Sequence, residues 1–164
     1  MDPAAPEEAE AFATICVASL SADGDFSDIY RARLYDCLRR YPGTAGLETA
    51  QHTELLRRSL RSLHRHGADT ALRAAAKTLS GKQREETFAW ACEMAVTSGK
   101  SSAETRDMVQ SIRAVLDIPD TVLRAVSRSA GLRFGKDNAA PVFTHASRQA
   151  HHRADENRNR GESQ

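Results

Sequence analysis

The 164-residue chain reads as an all-α bundle of about seven helices, and three observations predict it. Apolar residues recur three and four apart in successive stretches, the period of a helix with one buried face. Sustained alternation and β-branched clusters, the marks of strands, are absent. Glycine, proline and capping residues divide the stretches at intervals that suit short helices.

Pro6 with Glu7, Glu8 and Glu10 starts the first helix, because proline fits a first turn and carboxylates favour the positive end of the dipole. Phe12, Ile15, Cys16 and Leu20 form its buried stripe. A tight acidic turn follows, with Asp23, Gly24, Asp25 and Ser27; the glycine tolerates positive φ and the serine is placed to cap the next helix. Helix two spans 28–41, with Ile29, Tyr30, Leu34, Cys37, Leu38 and Tyr41 on its apolar side, and Pro42-Gly43 stops it. Helix three spans 49–66 and presents Leu55, Leu56, Leu60 and Leu63. Asp69 is the expected cap of an alanine-rich fourth helix over 70–79. The fifth, over 82–97, turns Phe88, Ala91, Cys92 and Ala95 inward, with Trp90 at the edge of the core. Ser101 and Glu104 have the spacing of a capping box for helix six, whose apolar positions are Met108, Val109, Ile112, Val115 and Leu116. Pro119 opens helix seven, Leu123 and Val126 face in, and Gly131 closes it.

Beyond about residue 135 the composition changes. Residues 136–164 are rich in Asn, Arg, His and Ser with few apolar anchors, which cannot offset the entropy of ordering. The expected organisation is therefore a helical domain over 1–135 and a flexible polar tail over 136–164. His145, His151 and His152 in that tail read as solvated side chains.

Composition narrows the function. A hydrophobic fraction of 40% and a charged fraction of 27% describe an ordinary soluble domain with room for a core. A formal net charge of +1 argues against a nucleic-acid partner held by bulk electrostatics. No apolar run approaches the roughly 20 residues that cross a bilayer, and the acidic start lacks a leader's basic and apolar regions, so a cytoplasmic location is expected. Cys16, Cys37 and Cys92 are odd in number, lack CxxC spacing and fall in apolar phases, which suits buried reduced thiols. No Gly-rich phosphate loop, nucleophile elbow or HExxH motif is present, so a non-enzymatic role is expected. On helix three, Arg57, Arg58, Arg61 and Arg65 share the polar side; they read either as a solvated face or as a docking surface for a protein partner.

The plan of helices one and two returns in helices five and six. Asp23-Gly24-Asp25-Phe26-Ser27 aligns with Ser98-Gly99-Lys100-Ser101-Ser102, and an apolar helix flanks each turn on both sides. Over residues 8–131 this doubled pattern resembles the TerB-like family, named for a tellurite-resistance protein: a small-residue helix, Asp-Gly-x-hydrophobic-Ser, then a helix opening with glutamate, present twice. The resemblance implies a TerB-like fold built from two pseudo-repeated helical hairpins, and a role in a bacterial stress response through divalent-metal sensing or partner binding. Carried over by position, Asp23 matches the first copy's aspartate and Glu104 the second copy's glutamate. Asp25, Asp28 and Asp107 stand close in sequence to help hold one calcium, magnesium, manganese or zinc ion. The chain departs from the pattern at Ile29 and Tyr30, where acidic residues are expected, and at Ser98, where the second aspartate would stand. Two readings follow. Either the half-kept copies still converge on one ion, or the acidic turn is a helix cap and the chain is an adaptor working through the arginine face and the tail. An EF-hand is excluded, since counting from Asp23 its glycine position holds Asp28 and its terminal glutamate position Leu34.

Overall fold

The computed structural model describes residues 6–21, 27–96 and 103–130. They form seven helices and, among the described residues, no strand: α1 (Pro6–Leu20), α2 (Asp28–Arg40), α3 (Thr49–His66), α4 (Ala68–Thr78), α5 (Gly81–Val96), α6 (Ala103–Leu116) and α7 (Asp120–Ala130). The all-helical reading is thus correct, with boundaries within two residues of those expected. The turn at 22–26, the proposed cap Ser101, Gly131 and the tail lie outside the described residues.

The bundle is built around α1. Every residue from Ala11 to Leu20 is buried, so the expected single stripe is instead a helix enclosed all round. Its two sides feed two cores. Ala11, Ile15 and Ala18, at the i, i+4, i+7 spacing of one face, join a cluster with Leu72, Phe88, Ala91, Cys92, Val109, Ile112 and Leu123 of α4 to α7. Phe12, Ala13, Cys16, Val17 and Leu20 face the other way, into a cluster with Tyr30, Leu34, Cys37, Leu38 and Tyr41 and with Leu55 and Leu56 of α3. Small side chains at Ala9, Ala11, Ala13 and Ala18 let neighbouring backbones approach closely on several sides at once. The hydroxyls in this apolar helix are satisfied locally. Thr14 Oγ1 donates to the Glu10 carbonyl at 2.8 Å and lies 3.2 Å from Ser59 Oγ, while Ser19 Oγ donates to the Cys16 carbonyl at 2.8 Å.

Several local expectations change. Ser27 occupies the N-cap of α2 with extended backbone, but its side chain makes no capping hydrogen bond. α4 starts at Ala68, one residue after Gly67, whose φ of +79° ends α3 and admits α4 directly. Asp69 therefore sits inside the first turn and is not the cap; it binds Arg73 one turn on, with Nε 3.0 Å from Oδ2. α5 carries a reciprocal cap absent from the expected set: Ser80 N–H donates to Gln83 Oε1 at 2.8 Å and Gln83 N–H to Ser80 Oγ at 3.4 Å. α6 ends in a Schellman arrangement, with Ile118 N–H on the Arg113 carbonyl and Asp117 N–H on the Ala114 carbonyl. Asp117 holds the left-handed position there, φ 53°, which aspartate tolerates better than most residues.

Two side chains expected inside are not. Ile29 is 67% exposed and Leu60 is 38% exposed. In α3 the buried line runs His52, Leu55, Leu56, Ser59 and then the half-buried Leu63, a true helical stripe that passes through two polar residues. Leu60 stands one position off that line. His52 replaces the missing apolar side chain by bonding, with Nε2 2.8 Å from the Thr44 carbonyl. Thr44 in turn donates through Oγ1 to the Leu38 carbonyl at 2.6 Å, so the α2–α3 connection is tied to both helices.

Candidate functional site

Helix directions decide which of the candidate residues share a region. Tyr41, just after α2, stacks on Phe12 with ring centroids 3.7 Å apart and donates its hydroxyl to Glu8 of α1 at 3.3 Å. Burial chiefly, then the charges of Glu8 and of Glu86 on α5, raise the Tyr41 phenol above its ordinary value. Phe12 also meets Trp90 of α5 edge-on, with centroids 6.5 Å apart. With Phe12 against Trp90, and the Tyr41 hydroxyl on Glu8 and within reach of the Glu86 charge, we infer that α1 and α5 run in the same direction. Leu20 and Val96 extend about 12 Å and about 9 Å beyond the Phe12–Trp90 level, toward one end of the bundle.

The following helices start from that end. α2 runs back along α1, because Cys37 lies beside Cys16 while Tyr41 reaches Phe12 and Glu8. α6 packs on α5 after the six residues 97–102, a connection length that joins antiparallel neighbours. Asp28, in the first turn of α2, and Glu104, in the first turn of α6 with Asp107 just behind it, therefore belong to the same end. All three are exposed. Asp28 lies 3.7 Å from Arg31 Nη1, a loose and solvated pairing. Asp23 and Asp25 lie outside the described residues. Among the described residues no group of three or more His, Cys, Asp or Glu side chains is placed to hold a metal ion.

No protein-family model, curated protein or solved structure matches the chain.

The arginine face of α3 is partly engaged within the chain. Arg57 grips Glu54 with both Nε and Nη2, at 2.8 and 2.6 Å, and its hydrogen bond holds that carboxyl below the usual carboxylate range. Arg58 reaches across to Glu10 of α1 and braces the helix pair. Arg61 is exposed and makes no ion pair among the described residues, and Arg65, His64 and His66 extend the basic surface to the helix end. The Arg65 cation there also suits the negative end of the α3 dipole.

Two groupings were not legible in the sequence. Arg40 lies 5.0 Å from the centre of the Trp90 ring and 3.4 Å from Glu93 Oε1, closing the aromatic corner of Phe12, Tyr41 and Trp90 from outside. Cys16 and Cys37 meet in the core between α1 and α2 with sulfurs 4.0 Å apart. Apolar phase alone told that each thiol was buried, not that they face one another. The described helices include none long and apolar enough to cross a membrane.

Proposed function

We propose that the chain is a non-enzymatic TerB-like helical module that senses a divalent cation at one end of the bundle and serves a bacterial stress response of the tellurite-resistance type. The observation that carries this reading is the shared direction of α1 and α5. α1 and α5 end, and α2 and α6 begin, toward one end of the bundle, with Asp28, Glu104 and Asp107 in or near the first turns of α2 and α6. A hard cation needs several oxygens from more than one element; Asp28 with Glu104 and Asp107 offer carboxylates from two helices, and the TerB-like resemblance adds Asp23 of the first copy.

Titration calorimetry of the full chain with calcium, magnesium and manganese tests it. Saturable binding of one ion is expected, weakened at least tenfold by Asp23→Ala and by Glu104→Ala while Asp36→Ala leaves it unchanged. Absence of binding by all three cations, or binding indifferent to both substitutions, overturns the sensing reading.

A second reading is favoured by the exposed basic surface of α3. There the chain is an adaptor whose Arg61, with Arg57 and Arg58 released from Glu54 and Glu10, docks an acidic protein partner. Its expected result is loss of that partner in a pull-down with Arg57, Arg58 and Arg61 all changed to alanine. Retention of the same partner by the triple variant removes the α3 face from consideration.

A further inference from the structure

We propose that Cys16 and Cys37 are a redox-modification site, joined as a reversible disulfide when the protein meets hydrogen peroxide, so that α2 is clamped covalently onto α1. The two sulfurs are 4.0 Å apart, in van der Waals contact, and both thiols are free. A disulfide requires a sulfur–sulfur separation of about 2 Å, so the two side chains must close by about 2 Å between them. Cys92 lies in the other core cluster, on the far side of α1 from this pair, and is buried there without exposure.

The chemistry balances with peroxide as the two-electron oxidant. One cysteine, as thiolate, attacks a peroxide oxygen, forming a sulfenic acid and releasing hydroxide, which takes up the proton the thiol lost and leaves as water. The second thiol then attacks the sulfenic sulfur, the S–S bond forms, and the sulfenic oxygen departs with the second thiol's proton as another water. Two thiols and one hydrogen peroxide give one disulfide and two waters. A dithiol reductant reverses the step by exchange.

The packing sets when this happens. Both cysteines are almost wholly buried, and burial, with the neighbouring Cys37, raises the Cys16 thiol well above its ordinary range. The closed core therefore protects the pair. Helix α2 buries Tyr30, Leu34, Cys37 and Leu38 on one face, while Tyr35 reaches Thr53 of α3 and Arg40 reaches Trp90 and Glu93 of α5. Oxidation proceeds when that face lifts from α1, and the disulfide records the opening.

The full chain is treated with a small molar excess of hydrogen peroxide under native conditions, quenched in acid and alkylated in denaturant. The expected product has lost about 2 Da and carries one alkyl group, on Cys92. Trypsin should release residues 1–31 joined to residues 34–39. Closing a loop of about 20 residues should raise Tm by roughly 5–10 °C, reversed by dithiothreitol. Cys92→Ser should keep the link, and Cys16→Ser and Cys37→Ser should lose it. Mapping on the unmodified chain keeps the test valid if a serine variant folds poorly. Three alkylated thiols, a link through Cys92, a link between two chains, or sulfinic acid on unpaired cysteines would each overturn the proposal.

Discussion

Phe12→Ala is expected to destabilise the protein by about 4 kcal/mol, enough to lower Tm by roughly 10–15 °C. Phe12 has no exposed surface, stacks on Tyr41 and meets Trp90 edge-on, so one substitution empties a cavity at the junction of α1, α2 and α5. The aromatic contacts add about 1 kcal/mol beyond the buried area. Tyr41 would lose its stacking partner while its hydroxyl still has to satisfy Glu8. Chemical denaturation followed by Trp90 fluorescence checks this directly, because the only tryptophan sits in the disturbed corner. Ala74→Gly, at an exposed position inside α4, serves as a reference for backbone effects alone and should cost about 1 kcal/mol. A Phe12→Ala variant within 1 kcal/mol of the parent would mean that the corner is not a cooperative part of the core.

The second large effect is alkaline. Burial pushes the Cys92 thiol up from 9.0 to about 12. The folded state therefore keeps a proton that the unfolded chain releases. Below pH 9 both states hold it and stability is flat. Between pH 9 and about 12 the unfolded state loses it first, and stability falls by up to about 1.4 kcal/mol per pH unit, roughly 4 kcal/mol in all. Tyr41 and Cys16 are also raised and act in the same direction. Urea midpoints measured under reducing conditions should hold steady from pH 7 to 8.5 and then drop steeply. Cys92→Ala should lower the neutral midpoint slightly and make the alkaline slope shallower. An equally steep slope in that variant would place the alkaline sensitivity elsewhere.

Much of the fold was readable because strong punctuation coincided with strong periodicity. Pro42-Gly43, Gly67 and Pro119 broke the chain where no helix could continue, and α5 and α6 turn inward the apolar residues their spacing indicates. The failures have one physical origin each. Enclosure of α1 was missed because periodicity finds a face, while a helix lined by alanine, cysteine and valine can be buried on all of them. In the α3 stripe Leu55, Leu56 and Leu63 hold, but Leu60 stands outside it while His52 and Ser59 are buried through hydrogen bonding, which hydrophobicity does not register. Ile29 was read as core from its identity, although at the first turn of α2 no described neighbour covers it. Of the candidate site, the family resemblance supplied the carboxylates; the inferred course of α1 and α5 gives a reason for the first turns of α2 and α6 to share an end. The contact between Cys16 and Cys37 depends on how α2 rolls against α1, which no local pattern encodes.

The central position of α1 also imposes an order on biosynthesis. Ile15 needs Ile112 and Val109 of α6 to complete its surroundings, and those residues leave the ribosome about 95 positions later. At about 5–20 residues per second, the side of α1 that α6 completes waits roughly 5–20 s for its last partner. The helix at the heart of the finished bundle is thus among the first made and the last to be fully enclosed.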